Sequence, residues 1–288
     1  MLSEEKIRSQ LQPLTPLPTG LHRKTGELPP VRCMLFDIYG TLFISASGDI
    51  GIAKGGKKPL RQLDSLLNRF DIGLSSKHLL AAYYRAIETD HRNSQASGIA
   101  FPEVDIMRIW KEVLGSASSE QVRDFAVAFE LLSNPTYPMP SLAKLLTACR
   151  KSSVQMGLIS NAQFYTPLLF QWFLNADVEK LGFDPGLVFF SYRHGHAKPG
   201  QHLFQLAANQ LRRMKIPASS VLYVGNDMLN DIYPAQQSGF LTALFAGDAR
   251  SLRMRKDDPR CHVLDPDLVV TDLKQLIPYL PSQQAAST

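Results

Sequence analysis

Five short apolar runs, at 31–36, 154–160, 187–191, 221–225 and 241–245, recur along this 288-residue chain. Between several of them lie stretches of helical periodicity, Ser141 to Lys151, Gln201 to Met214 and Leu229 to Gln237. Runs this short read as buried strands, and apolar residues spaced three and four apart read as one face of a helix. Strands alternating with helices predict an α/β fold with a doubly wound parallel sheet. Open sheets of that kind meet their ligands at the carboxyl ends of the strands. The residues that close each run are therefore the first place to look for chemistry.

Those residues are polar. Val31 to Phe36 ends in Asp37, with Gly40 and Thr41 just beyond; Val154 to Ile159 ends in Ser160 and Asn161. Leu187 to Phe190 leads into a loop with Lys198 and Pro199, and Val221 to Gly225 leads into Asn226, Asp227 and Asp231. A strand-end Asp before a glycine turn can simply shape the turn. It can also attack an electrophile and form a covalent ester that water later breaks. Ser160 and Asn161 offer donors to an anionic oxygen, or build a strand-to-helix turn. Lys198 either neutralises nearby carboxylates as a point charge or is one more solvated lysine. Asp227 is a helix N-cap or a metal ligand, since Mg²⁺ takes one or two carboxylates with several waters. Asn226 and Asn230 are supporting donors or turn residues.

Nucleophilic carboxylate, hydroxyl, lysine and paired carboxylates, in that order over roughly residues 31–250, resemble the haloacid dehalogenase superfamily of hydrolases. The resemblance implies a catalytic group of Asp37, Tyr39 and Lys198, with Thr41, Ser160, Asn161 and Lys198 binding substrate. It also implies Mg²⁺ held by Asp37, Asp227 and Asp231, and a small anionic substrate. Phosphatases of the superfamily usually carry a second Asp two residues after the nucleophile, as general acid and base. Here Tyr39 stands there. The Asp-x-Tyr-Gly-Thr form is similar to the 2-haloacid dehalogenases, whose halide needs no proton and whose chemistry needs no metal. Gly225-Asn226-Asp227 with Asp231 looks more like the acidic, magnesium-holding version. The first expectation is Mg²⁺-dependent hydrolysis of a phosphorylated small molecule. A metal-independent 2-haloacid dehalogenase and a non-catalytic binding protein on the same scaffold are the alternatives.

The interval 52–140 breaks the alternation. It contains helix-period segments, Leu60 to Phe70, Lys77 to Arg92, Val104 to Leu114 and Ser119 to Leu132, with Ser119 as a helix start and no strand. A helical insert is expected there, and the resemblance makes it a cap over the site. The core then comprises 31–51 and 141–280, after a loosely ordered proline-rich leader at 1–30 and before a flexible tail at 281–288.

Composition narrows the class. The chain is 44% hydrophobic and 20% charged, and its net charge of +5 is scattered rather than striped, so no nucleic-acid surface is expected. Arg193, His194 and His196 form a small basic cluster without metal-ligand spacing. Cys33, Cys149 and Cys261 show neither a disulfide pattern nor a zinc pattern, and no run is long enough to span a bilayer. A cytoplasmic enzyme is expected.

Overall fold

β1 (Cys33–Phe36) is buried along its whole length. Cys33 and Leu35 point into one apolar cluster, with Leu203, Phe204, Ala207 and Leu211, while Met34 and Phe36 point into another, with Leu142, Leu145 and Leu146. Side chains alternate across a strand, so a run that is apolar throughout must be covered on both faces. Here helices cover both.

The structure is a computed structural model that describes residues 7–9, 11–46 and 57–281. Its main sheet also contains β4 (Gln155–Ser160), β5 (Phe183–Phe190), β6 (Val221–Gly225), β7 (Leu241–Phe245) and β8 (Leu268–Val270). The six strands are parallel, in the order β5-β4-β1-β6-β7-β8. From β1 the chain reaches β4 on one side and β6 on the other, so the order reverses at β1 and opens a crevice at its carboxyl end. Asp37 is the first residue of that crevice. α5 (Leu142–Lys151) and α6 (Leu168–Leu174) belong to one face, and α7 (His202–Arg213) covers the other.

The helical insert comprises α1 (Lys57–Arg69), α2 (Ser76–Ala96), α3 (Ile106–Leu114) and α4 (Ser119–Ser133). Aromatic rings hold it together: Tyr83 stacks on Trp110 at 4.4 Å between centroids, and Phe125 and Phe129 approach Trp110 at 4.9 and 4.7 Å. Among the described residues no helix is long and apolar enough to cross a membrane.

The structure corrects several expectations. The interval 52–140 is not free of strand: β3 (Thr136–Pro138) pairs antiparallel with β2 (Phe43–Ser45), a ribbon of three residues a side. Segments so short carry too little alternation to be read from sequence. α4 does start at Ser119, with Ser118 as its N-cap: Ser118 and Gln121 exchange side-chain and backbone bonds in a capping box. The leader is not loose over 15–24. Thr19 Oγ1 donates to the Ala246 carbonyl at 2.9 Å, Leu17 N–H to Asp248 at 3.0 Å, and Lys24 exchanges two backbone bonds with Val269. Those last bonds satisfy the open edge of β8. The expected boundary at 51/52, and the expected tail beyond Pro281, lie outside the described residues.

Candidate active site

Four strand ends converge. Asp37 follows β1, and its N–H donates to the Val224 carbonyl of β6 at 2.9 Å. Ser160 ends β4, and its hydroxyl donates to Asp37 Oδ1 at 2.9 Å. Lys198, from the loop after β5, places Nζ 2.7 Å from Asp37 Oδ1 and 2.5 Å from Asp231 Oδ1. All three side chains of this bridge are nearly inaccessible, at 3% for Lys198, 8% for Asp37 and 2% for Asp231. Buried charges in contact are stable only when paired and hydrogen-bonded.

The Tyr223 hydroxyl completes the cluster, 2.9 Å from Asp231 Oδ1 and 3.0 Å from the Ile159 carbonyl. Burial by itself would lower the Lys198 pKa, but Asp231 and Asp37 outweigh it and hold the ammonium above its ordinary value. Burial pushes Asp231 up to about 7, against the pull of Lys198. Gly225 permits this packing, since a Cβ there would overlap the Asp231 carboxylate. Gly40, at φ +81°, turns the chain after Asp37, and a Cβ on it would run into Asn226 and Ser251.

Other expected residues take different positions. Asn161 grips the Lys198 backbone, accepting from its N–H at 2.8 Å and donating to its carbonyl at 3.2 Å. Thr41 is fully buried and donates to Asn226 Oδ1 at 3.0 Å, while Asn226 Nδ2 donates to the Ser251 carbonyl at 2.6 Å. Both residues lock loops together. Tyr39 sets its hydroxyl 3.1 Å from Thr166 Oγ1, and burial raises that phenol well above its ordinary value. The rings of His196 and His202 stack on each other at 4.0 Å.

Two of the three carboxylates expected to hold Mg²⁺, Asp227 and Asp231, have both oxygens engaged as arranged. Octahedral Mg²⁺ asks for open oxygens. Asp231 gives Oδ1 to Lys198 and Tyr223, and Oδ2 to the Asp227 N–H at 3.0 Å. Asp227 caps Leu229 and Asn230 with Oδ1 and binds Arg255 through both oxygens. Among the described residues no three His, Cys, Asp or Glu side chains are grouped to bind a metal.

A family model, haloacid dehalogenase-like hydrolase, matches residues 31–239. The chain belongs to that family. It is a hydrolase of the haloacid dehalogenase superfamily, with the six-stranded α/β core just described. The 2-haloacid dehalogenase from Pseudomonas syringae pv. Tomato DC3000 is similar at 20% identity and TM-score 0.55, over 86% of this chain and 97% of that one. A dehalogenase with an intermediate complex is similar at 17% and 0.51, over 89% and 100%. A phosphatase of the superfamily from Thermococcus onnurineus is similar at 16% and 0.47, over 85% and 96%. The two dehalogenase structures, at this identity, show the fold alone. No curated protein sequence matches the chain.

Sequence reasoning about this hydrolase missed Tyr223 and Arg255, which bond to Asp231 and Asp227. Tyr223 lies inside an apolar run and Arg255 on a loop.

Proposed function

We propose that this chain hydrolyses a small anionic substrate, foremost a phosphorylated small molecule, through a covalent ester on Asp37. One observation carries the reading: a buried lysine bridges Asp37 and Asp231 at the carboxyl end of the central strand. Ser160 and Lys198 both hold Oδ1 of Asp37, so Oδ2 is the oxygen left to attack. The Lys198 ammonium offsets negative charge on the transferring group, and the Ser160 hydroxyl helps to orient the nucleophile. A scaffold kept only for binding has no packing need for charges assembled this way.

A second reading, metal-independent dehalogenation of a short 2-haloacid, is favoured by a different observation. Asp227 and Asp231 already carry protein cations, Arg255 and Lys198, and a departing halide needs no metal to stabilise it. The test is a panel of phosphate esters, acyl phosphates and 2-haloacids, with added Mg²⁺ and after chelation, on wild type and Asp37→Asn. Phosphate release that disappears in a folded Asp37→Asn variant is the expected result. Retained turnover in that variant overturns the covalent mechanism, and halide release without phosphate release moves the second reading to first place.

A further inference from the structure

One extended stretch of the insert lies against the loop that carries Lys198. Between α2 and α3, Pro102 bridges His196 in antiparallel fashion. The Ala197 N–H donates to the Phe101 carbonyl at 2.8 Å, and the Glu103 N–H donates to the Gly195 carbonyl at 3.1 Å. The Phe101 ring covers Gly200, where an added Cβ would meet it at 3.2 Å. Lys198 is thereby flanked by the insert, through Ala197 and Gly200, and by Asn161, which holds its backbone N–H and carbonyl.

The Glu103 side chain ties the same stretch to a second loop of the site. Its Oε2 accepts from Ser191 Oγ at 2.6 Å, and Ser191 Oγ accepts in turn from the Ala162 N–H at 2.8 Å. Ser191 opens the loop that leads to Lys198, and Ala162 directly follows Ser160 and Asn161. Oε1 of Glu103 accepts from Gln163 Nε2 at 3.1 Å and from the Val104 N–H at 3.0 Å. Ser191 is fully buried, so its hydroxyl needs an acceptor, and the alternative to Glu103, the Ala162 carbonyl, is farther away at 3.2 Å.

We propose that Glu103 is a positioning residue for Lys198. By holding Ser191 and Ala162 together beside the Phe101–Ala197 bond, its carboxylate keeps the loops after β4 and β5 in the register that sets Nζ between Asp37 and Asp231. The inference rests on the covalent reading above, in which the Lys198 ammonium offsets charge on the transferring group. Nζ lies 2.7 Å from Asp37 Oδ1 and 2.5 Å from Asp231 Oδ1, so a loop shift of about an ångström breaks at least one contact, and misplacement on that scale costs about 100-fold in rate. The Glu103 carboxylate bonds to Ser191, Gln163 and the Val104 N–H rather than to Asp37 or Lys198, and it therefore acts on the rate through the loops. A tie between insert and core could end on any surface loop. This one ends on the two loops that supply Ser160, Asn161 and Lys198.

The experiment follows Glu103→Ala, Glu103→Gln and Ser191→Ala by two readings. Nitrogen-15 NMR of labelled lysine, with the Lys198 ammonium assigned by its loss in Lys198→Arg, needs no turnover. The Lys198 signal moves in Glu103→Ala and in Ser191→Ala, and it returns towards the wild-type position in Glu103→Gln, whose amide oxygen still accepts from Ser191. On the substrate that wild type turns over in the panel above, kcat of Glu103→Ala falls by about 10- to 100-fold with KM little changed, and Glu103→Gln recovers part of the rate. Ser191→Ala keeps the test available if Glu103→Ala does not fold, and the two changes together cost little more than the larger one alone, as expected of residues that share a bond. An unmoved Lys198 signal, an unchanged kcat, a rise in KM at constant kcat, or full additivity of the two changes overturns the proposal. Asp37→Asn separates it from the reading beneath it: retained turnover there sinks the covalent mechanism, whereas loss there with an unmoved Lys198 signal in Glu103→Ala sinks only the role of Glu103.

Discussion

The Arg255 guanidinium closes on the Asp227 carboxylate from two nitrogens, with Nη2 2.6 Å from Oδ2 and Nε 3.1 Å from Oδ1. Bidentate pairs of this kind are among the stronger charged contacts, and they are lost when the planar fork is removed. Arg255 lies on the loop after β7 and reaches back across the end of β6 to make the contact.

That contact makes metal dependence testable. Arg255→Met should open Asp227 and tighten Mg²⁺ binding relative to wild type. Isothermal titration of both proteins with Mg²⁺, alongside activity after chelation, is the check. Saturable Mg²⁺ binding by wild type, with activity lost on chelation, would show that the pair opens of its own accord.

Lys198 is the sole described cation bonded to both Asp37 and Asp231. Removing one partner from a buried ion pair typically costs about 3–5 kcal/mol, because the other charge is left without compensation. Lys198→Met should therefore lower stability by that order and abolish turnover. Adding Asp231→Asn should restore part of the stability and none of the activity. Urea unfolding of the single and double variants measures this, and a single variant as stable as wild type would contradict it.

Asn161 acts on Lys198 through the backbone alone. Asn161→Ala should reduce kcat by roughly 10- to 100-fold, the scale set by misplacing a catalytic group by about an ångström. KM should change little and stability by about 1 kcal/mol for the lost bonds. A rise in KM at constant kcat would instead place the Asn161 amide on the substrate.

Glu130 links pH to stability. Burial raises its folded-state pKa above the ordinary value of 4.5, so the folded protein binds this proton more tightly than the unfolded chain does. The contribution is complete below 4.5 and fades as pH rises through the folded value. Glu130→Gln cannot lose the proton, so it should be relatively more stable on the alkaline side of that window. Thermal unfolding from pH 4 upward, on both proteins, gives the comparison, and parallel Tm curves would argue against a raised Glu130.

The chain itself determined the alternation of apolar runs and helices, and with it the parallel sheet, because strands buried on both faces must be apolar throughout. It also determined that Asp37, Ser160, Lys198 and Asp231 stand at or just beyond strand ends, and those four do converge. What it left open was where the remaining polar groups point. Asn161 and Thr41 have the residue types of substrate ligands but bond to Lys198 and Asn226, and Asp227 has the type of a metal ligand but faces Arg255. A polar side chain is assigned by whichever partner the fold brings within about 3 Å, and that partner can be far away in the chain. Arg255 is 28 residues from Asp227, and Asn226 is 185 from Thr41. The insert is tied back to the core in part because β2 and β3 pair, a contact between two three-residue strands that no local pattern announces.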